Sequence, residues 1–309
     1  MAGLDLRAIA MKGLGLLALT LAFVTPGCAT EMTDEELEEE IEQTEAAATS
    51  CRRNEPTVKI VSANILEGGV WDDTGKRKRN WATMDRFVKL VSDIDAQVLA
   101  VQETVSAESA NRLLSRLNEV TGKTWSKQDT VGVNPWGIAT AIYWRNDVVA
   151  LHESLGHKDL GKLDSNGYTI RFHGVMLEKK GTGKKFAVVT GKLPWTNDAE
   201  NYRMAPVLRD WVKTATAKYP KSVRVIAMDM NAPLGSRTWK LFNEDYDDSG
   251  SKLGTHPSDG IFPLRKRLDY IWADRGAGPK ETCAFLEPVR RSMHFGSDHR
   301  FVWGDVYLP

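Results

Sequence analysis

The sequence predicts an α/β or α+β sandwich in which helices cover the faces of stacked sheets, and three observations point there. Short apolar runs of strand length alternate with segments of helical periodicity from Thr57 to Leu308. Two runs of alternating residues on either side of Gly181-Thr182-Gly183 read as a hairpin. No repeat, low-complexity stretch or Pro/Gly/Ser linker divides residues 51–309, which therefore read as one domain.

Taken in order, Thr57 to Ala63 is a first strand. Met84, Phe87, Val88 and Val91 follow at i, i+3, i+4 and i+7, the spacing of an amphipathic helix. Val98 to Val101 is a second strand, Leu113, Leu114 and Leu117 mark a second helix, and Ala139 to Trp144 is the next strand. In the hairpin, Ile170, Phe172, Gly174 and Met176 alternate with Arg171, His173, Val175 and Leu177, and the return strand is Phe186 to Gly191. Asp198 is placed to cap a helix whose apolar face is Met204, Val207, Leu208 and Trp211, with Pro206 a blemish near its first turns. Strands at Val223 to Met228, Leu268 to Ala273, Cys283 to Leu286 and Phe301 to Leu308 complete the set.

A hydrophobic content of 42% supplies a sizeable core and excludes disorder of the whole chain. The formal net charge of zero, 41 bases against 41 acids, conceals an asymmetry. Residues 1–30 hold Asp5, Arg7 and Lys12, and residues 31–50 hold nine acids and no base. Removing those ten acids and two bases leaves 31 acids and 39 bases, a net +8 on residues 51–309, which suits an anionic partner as well as plain solubility.

Gly13 to Val24 is an apolar run too short to span a bilayer; with Lys12 before it and small residues after it, residues 1–28 read as a signal peptide, and the protein as exported. Met11 followed by Lys12 makes a more usual signal-peptide start than Met1. Gly27-Cys28 looks like a bacterial lipoprotein cleavage site, with Cys28 lipidated and the chain membrane-anchored; Thr25 and Pro26 depart from the usual pattern, and cleavage to a secreted form is the alternative. Residues 29–50, acidic and almost without aliphatic side chains, read as a flexible tether. Cys51 and Cys283 are then the remaining thiols, either paired as a disulfide in an oxidising compartment or separately buried.

Polar residues recur at the ends of these strands. Asn64 follows the first strand and Glu103 the second, Asp229 and Asn231 follow a later one, Asp269 begins another, and Ser297-Asp298-His299 precedes the last. Strand ends on one edge converge on a cleft. Each item alone has an ordinary explanation: Asp229-Met230-Asn231-Ala232-Pro233 is a good turn, and Asp269 a good strand-end cap. Together, Ser62-Ala63-Asn64-Ile65, Gln102-Glu103, Asp229-Met230-Asn231, Leu268-Asp269-Tyr270-Ile271 and Ser297-Asp298-His299 resemble, in order, the motifs of the endonuclease/exonuclease/phosphatase family, over about Thr57 to Leu308.

That resemblance implies the deoxyribonuclease I-like fold, a four-layer sandwich of two packed mixed β-sheets flanked by helices, acting as a monomer. It also implies a metal-dependent phosphoester hydrolase using Mg²⁺ or Mn²⁺, with Ca²⁺ the remaining hard-cation option. By similarity Glu103 is the main metal ligand, with Asn64 and Asp298 beside it. Asp229 orients or deprotonates the attacking water, the Asn231 amide donates to the phosphoryl oxygen, and His299 is a phosphate-side donor or general base oriented by Asp269. One departure stands out. Deoxyribonuclease-like members carry a second histidine after the middle hairpin strand, supported by a glutamate near the central strand; here Lys192 takes the histidine position and residues 128–146 contain no Glu. A lysine there can grip a phosphate oxygen but is a poor proton shuttle near neutral pH.

Basic clusters at Lys76-Arg77-Lys78-Arg79, Arg265-Lys266-Arg267 and Arg290-Arg291 are placed to follow a phosphate backbone, whereas Lys179-Lys180 and Lys184-Lys185 read as solvated surface. A nuclease acting on extracellular or periplasmic nucleic acid is the leading expectation. The alternatives are a phosphodiesterase or phosphatase of phospholipid head groups, sphingomyelin or inositol phosphates, and a catalytically weak lipoprotein that binds anions.

Overall fold

The computed structural model describes residues 56–65, 69–71, 77–79, 81–104, 106–130, 139–162, 169–194, 198–248, 266–275, 299 and 301–309. The signal segment, the acidic tether, Cys28, Cys51, Cys283, the strand expected at 283–286, Arg290-Arg291 and Asp298 lie outside the described residues.

The first sheet contains β1 (Thr57–Asn64), β4 (Val98–Thr104), β5 (Trp125–Asp129), β6 (Ala139–Arg145) and β13 (Val302–Tyr307), in the order β13-β1-β4-β6-β5. The second contains β7 (Val149–Lys162), β8 (Thr169–Lys179), β9 (Lys184–Lys192), β10 (Val223–Asp229), β11 (Tyr246–Asp248) and β12 (Asp269–Asp274), in the order β11-β12-β10-β9-β8-β7. β2 (Gly69–Trp71) and β3 (Arg77–Arg79) form a separate antiparallel pair. Each large sheet has one parallel pair, β1 with β4 and β9 with β10; the other pairings are antiparallel.

A parallel pair requires a crossover, and a helix in the crossover covers the outer face of its sheet. Helix α1 (Trp81–Asp93) joins β1 to β4, and α2 (Ala107–Thr121) follows β4, capped by the Ser106 hydroxyl at the Ser109 amide and ended by Gly122 at φ +62°. Helix α3 (Asp198–Ala215) joins β9 to β10, and α4 (Arg237–Asp245) follows β10. Period-two alternation divides the strand residues between layers. Val58, Ile60, Val98, Ala100, Phe186, Val188, Val225, Ala227 and Ile271 meet between the sheets. Val61, Leu99 and Val101 pack under Met84, Phe87, Val88, Leu113 and Leu117; Val189, Ile226, Met228, Tyr270 and Trp272 pack under Met204, Leu208, Val212 and Phe242. The expected four-layer sandwich with two mixed sheets is the observed one.

Four readings need correction. The 14-residue β7 went unseen because it is an edge strand carrying mostly polar, outward side chains, and register shifts at three places break its alternation. The face of α3 is also rotated. Asn201, Met204, Ala205, Leu208 and Val212 form the buried stripe, which places Val207 about 120° from its centre at about 100° per residue, and Val207 is 36% exposed. Asp198 is the first residue of that helix and not a residue ahead of it. Finally, β4 runs through Thr104, so Glu103 lies inside the strand and does not follow it.

Candidate active site

Along each inner face the side chains change from apolar to polar toward one end of the sandwich. On β1 the inward series Val58, Ile60 continues as Ser62, Asn64; on β9, Phe186, Val188 continues as Thr190, Lys192; on β10, Val225, Ala227 ends in Asp229. Asn64, Glu103, Lys192 and Asp229 therefore sit at the C-terminal ends of the two parallel pairs, one pair in each sheet. In the second sheet Lys192, Asp229 and Asp269 are direct register partners, a row of three charges across adjacent strands.

Glu103 reaches this face only by breaking the alternation. Leu99 and Val101 point toward the helices, and a regular strand would send residue 103 after them. Instead Glu103 has φ +56°, and the pairing of β4 with β6 shifts register between Val101 and Thr104. Asn231 likewise has φ +48°. A left-handed conformation at a non-glycine residue costs on the order of 1 kcal/mol or more and persists only where surrounding contacts impose it. Two of the three such residues among those described are members of this cluster.

The contacts that impose it are buried and charged. The Asn64 amide donates to Glu103 Oε1 and to Asp229 Oδ2, both at 3.0 Å. The Lys192 ammonium contacts the same Glu103 Oε1 and lies 3.1 Å from the same Asp229 Oδ2. Asp229 Oδ1 accepts from the Asn231 backbone amide at 3.0 Å. His299 donates from Nδ1 to Asp269 Oδ2 at 2.8 Å, and its Nε2 stands 3.8 Å from Asp229 Oδ2. Burial lowers the His299 pKa, but the charges of Asp269 and Asp229 outweigh it and raise the imidazole to about 9. For Asp229, burial raises the carboxyl, and the charges of Lys192 and His299 with the Asn64 amide hold it below its usual range. Burial also pulls the Lys192 ammonium down, and the charges of Asp229 and Glu103 push it above its ordinary value.

The described members of the expected site, Asn64, Glu103, Lys192, Asp229, Asn231, Asp269 and His299, are thus one cluster. Two details differ from expectation. Both hydrogens of the Asn231 amide are committed, to Leu193 O at 2.8 Å and Asp229 Oδ2 at 3.2 Å, so in this arrangement it clamps the loop after β10 and offers no donor to a phosphoryl oxygen. Arg267, counted among the basic residues for a phosphate backbone, is buried: it donates to Asp248 Oδ2 at 2.9 Å, also contacts Oδ1, and stacks on Tyr270. The hairpin lysines are remote from the site, Lys180 and Lys184 exposed and Lys179 and Lys185 partly buried. Lys184 and Lys192 open and close β9, eight steps apart, or about 26 Å.

Several supporting residues had no role assigned from the sequence. The Gln102 amide joins the sheets, donating to Thr190 Oγ1 at 2.8 Å and to Ala227 O and Ser62 Oγ at 3.3 Å, directly behind Glu103. Asn201 donates to Asn231 O at 3.0 Å, holding the left-handed residue in place. His173 is buried between Thr140 Oγ1 at 2.7 Å and Gln128 O at 3.2 Å, and burial lowers its pKa to about 4. The signal for Gln102, Thr190 and His173 was present in the period-two pattern, since each continues an inward-facing apolar series.

Carboxylate and amide oxygens at Glu103 and Asn64 suit a hard divalent cation. Among the described residues, Asp229, Asp269 and His299 form a group of three whose carboxylate and imidazole atoms lie within 4.8 Å of one another, a different set from the expected Asn64, Glu103 and Asp298. Within that trio His299 Nδ1 is hydrogen-bonded to Asp269, while the oxygen donors at Glu103 and Asn64 match the preference of a hard cation for oxygen over nitrogen.

Residues 61–299 match the model of the Endonuclease/Exonuclease/phosphatase family. Among solved structures, the chain is similar to a protein of that family from Bacteroides thetaiotaomicron, at 16% identity over 83% of this chain and 99% of that one, with a TM-score of 0.62. It is similar to the mannosyl-6-phosphatase of Bacteroides thetaiotaomicron VPI-5482, at 16% identity, 81% and 100% coverage and a TM-score of 0.60. The human Nocturnin catalytic domain with bound sulfate anion aligns at 17% identity, 82% and 94% coverage and a TM-score of 0.62. Identities this low show a shared fold. No curated protein sequence matches the chain.

Proposed function

The chain belongs to the Endonuclease/Exonuclease/phosphatase family of phosphoester hydrolases, and from that premise we propose that it cleaves phosphodiester bonds of nucleic acid outside the cytoplasm, using Mg²⁺ or Mn²⁺. The observation that carries the hydrolase reading is the convergence of Glu103, Asn64, Asp229 and the His299–Asp269 pair, drawn from both sheets, on one buried charged cluster. The surplus of bases over residues 51–309 supports a polyanionic substrate.

Glu103 and Asn64, with Asp298 by similarity, would hold the divalent ion, which when bound supplies Lewis-acid compensation of charge on the phosphoryl oxygens. The remaining roles fall to this chain's own side chains. Asp229 is held strongly anionic by the charges of Lys192 and His299 and by the Asn64 amide, so it suits orienting a water better than deprotonating it. With a pKa near 9, His299 is an imidazolium at neutral pH in the metal-free protein, placed to donate from Nε2 to a phosphoryl or leaving oxygen while Asp269 fixes the ring.

The test is incubation of the purified protein with plasmid DNA, RNA, sphingomyelin or a sugar phosphate, each with MgCl₂ and with EDTA. Chelator-sensitive cleavage of DNA or RNA is the expected result. Chelator-sensitive release from sphingomyelin or the sugar phosphate alone would replace the nuclease reading with a lipid or sugar phosphoesterase. No turnover of any of them would leave a protein that binds anions.

A further inference from the structure

The mechanism above leaves Lys192 without a task, yet it is the most closely held cation of the cluster. Its ammonium contacts Glu103 Oε1 and stands 3.1 Å from Asp229 Oδ2, and its side chain is 12% exposed. The same two oxygens receive the Asn64 amide. Lys192 and Asn64 thus bridge one carboxylate pair.

The root of this side chain is fixed. Lys192 and Asp229 are parallel register partners, the Leu193 amide donates to Asp229 O at 2.9 Å, and Leu193 O accepts from Asn231. At the preceding Gly191, a Cβ would come within 2.4 Å of the Phe172 ring. The backbone therefore has no room to retreat, and only side-chain torsions can carry the ammonium away.

Resting on the metal-dependent reading of the same site, we infer that Lys192 is a tethered monovalent competitor for the divalent ion: a cation that takes Glu103 Oε1 must first displace the ammonium from it. A divalent ion coordinating the same carboxylate oxygen at about 2.0–2.6 Å stands close to the ammonium, and the repulsion between the two cations disfavours keeping both contacts. The competitor holds the acids together in the metal-free protein and weakens metal binding. When displaced, its charge is free to meet an incoming phosphate.

The experiment is isothermal titration of the metal-free protein with MnCl₂, comparing wild type with Lys192→Met and Lys192→Gln, alongside thermal unfolding with and without MnCl₂. Glutamine keeps a donor for Glu103 and serves if methionine does not fold. Both variants should bind Mn²⁺ at least tenfold more tightly than wild type, melt lower without metal, and gain more from it. Equal or weaker Mn²⁺ binding in the variants, with saturable binding in wild type, overturns the competition and leaves the metal site standing. Absence of saturable binding in all three proteins overturns both.

Discussion

Replacing Asp269 by Asn tests the electrostatics of the site at one atom. Asp269 Oδ2 is 2.8 Å from His299 Nδ1, and both side chains are almost fully buried. At that distance and an effective dielectric of about 20, a full negative charge stabilises the imidazolium by about 6 kcal/mol, or about four pKa units. The imidazole nevertheless reaches only about 9 from an ordinary 6.5, because burial works against its charge. Removing more than the net lift should drop His299 by at least two units in Asp269→Asn, to below neutrality, even with Asp229 still 3.8 Å away. Long-range ¹H–¹⁵N NMR of the imidazole in metal-free protein, titrated from about pH 5.5 to 10, reads the midpoint directly. The same shift has a stability signature. A histidine whose folded pKa exceeds its unfolded value stabilises fully below about 6.5 and loses that contribution as pH rises through about 9, a decline of about 3 kcal/mol. Urea unfolding should show that decline in wild type and a much smaller one in the variant. A variant midpoint that stays above about 8 would refute the assignment of the shift to Asp269.

Three further outcomes follow from named contacts. Glu103→Gln should lower turnover on whichever substrate is cleaved by on the order of a hundredfold or more while leaving the melting temperature within a few degrees, since Gln keeps an oxygen for Asn64 and Lys192; an unchanged rate would remove Glu103 from the metal site. His173, its pKa lowered to about 4 by burial, is neutral in the folded protein and should lower stability by about 3 kcal/mol as pH falls from about 6.5 toward 4, because only the unfolded chain takes the proton; identical pH slopes for wild type and His173→Gln in urea unfolding would contradict this. Gly191→Ala should cost about 1–3 kcal/mol in thermal unfolding, because the new methyl meets the Phe172 ring at 2.4 Å, and an unshifted melting curve would show that the ring can move aside at no cost.

Much of this protein was legible without coordinates, and the reason is periodicity. Where a strand buries one face, alternation exposes its register, so β1, β8, β9 and β10 and the polar continuations of their inward faces could be read directly. Where it buries little, as in β7, the chain carries no pattern to read. The side-chain types at the strand ends determined which chemistry the site can support, since oxygen donors, a histidine and a lysine define what can be bound and where protons can sit. Their partners were decided elsewhere. That Glu103 faces the cluster depends on a left-handed residue and a register shift against β6; that Asn231 is a clamp depends on Leu193; that Arg267 is lost to substrate depends on Asp248; and that Lys192 lies on Glu103 depends on two sheets meeting across about 90 residues of chain. Local patterns govern which way a residue points along its own strand, but a buried charge takes its position from whatever opposite charge the packing brings within reach, and that is a property of the assembled layers alone.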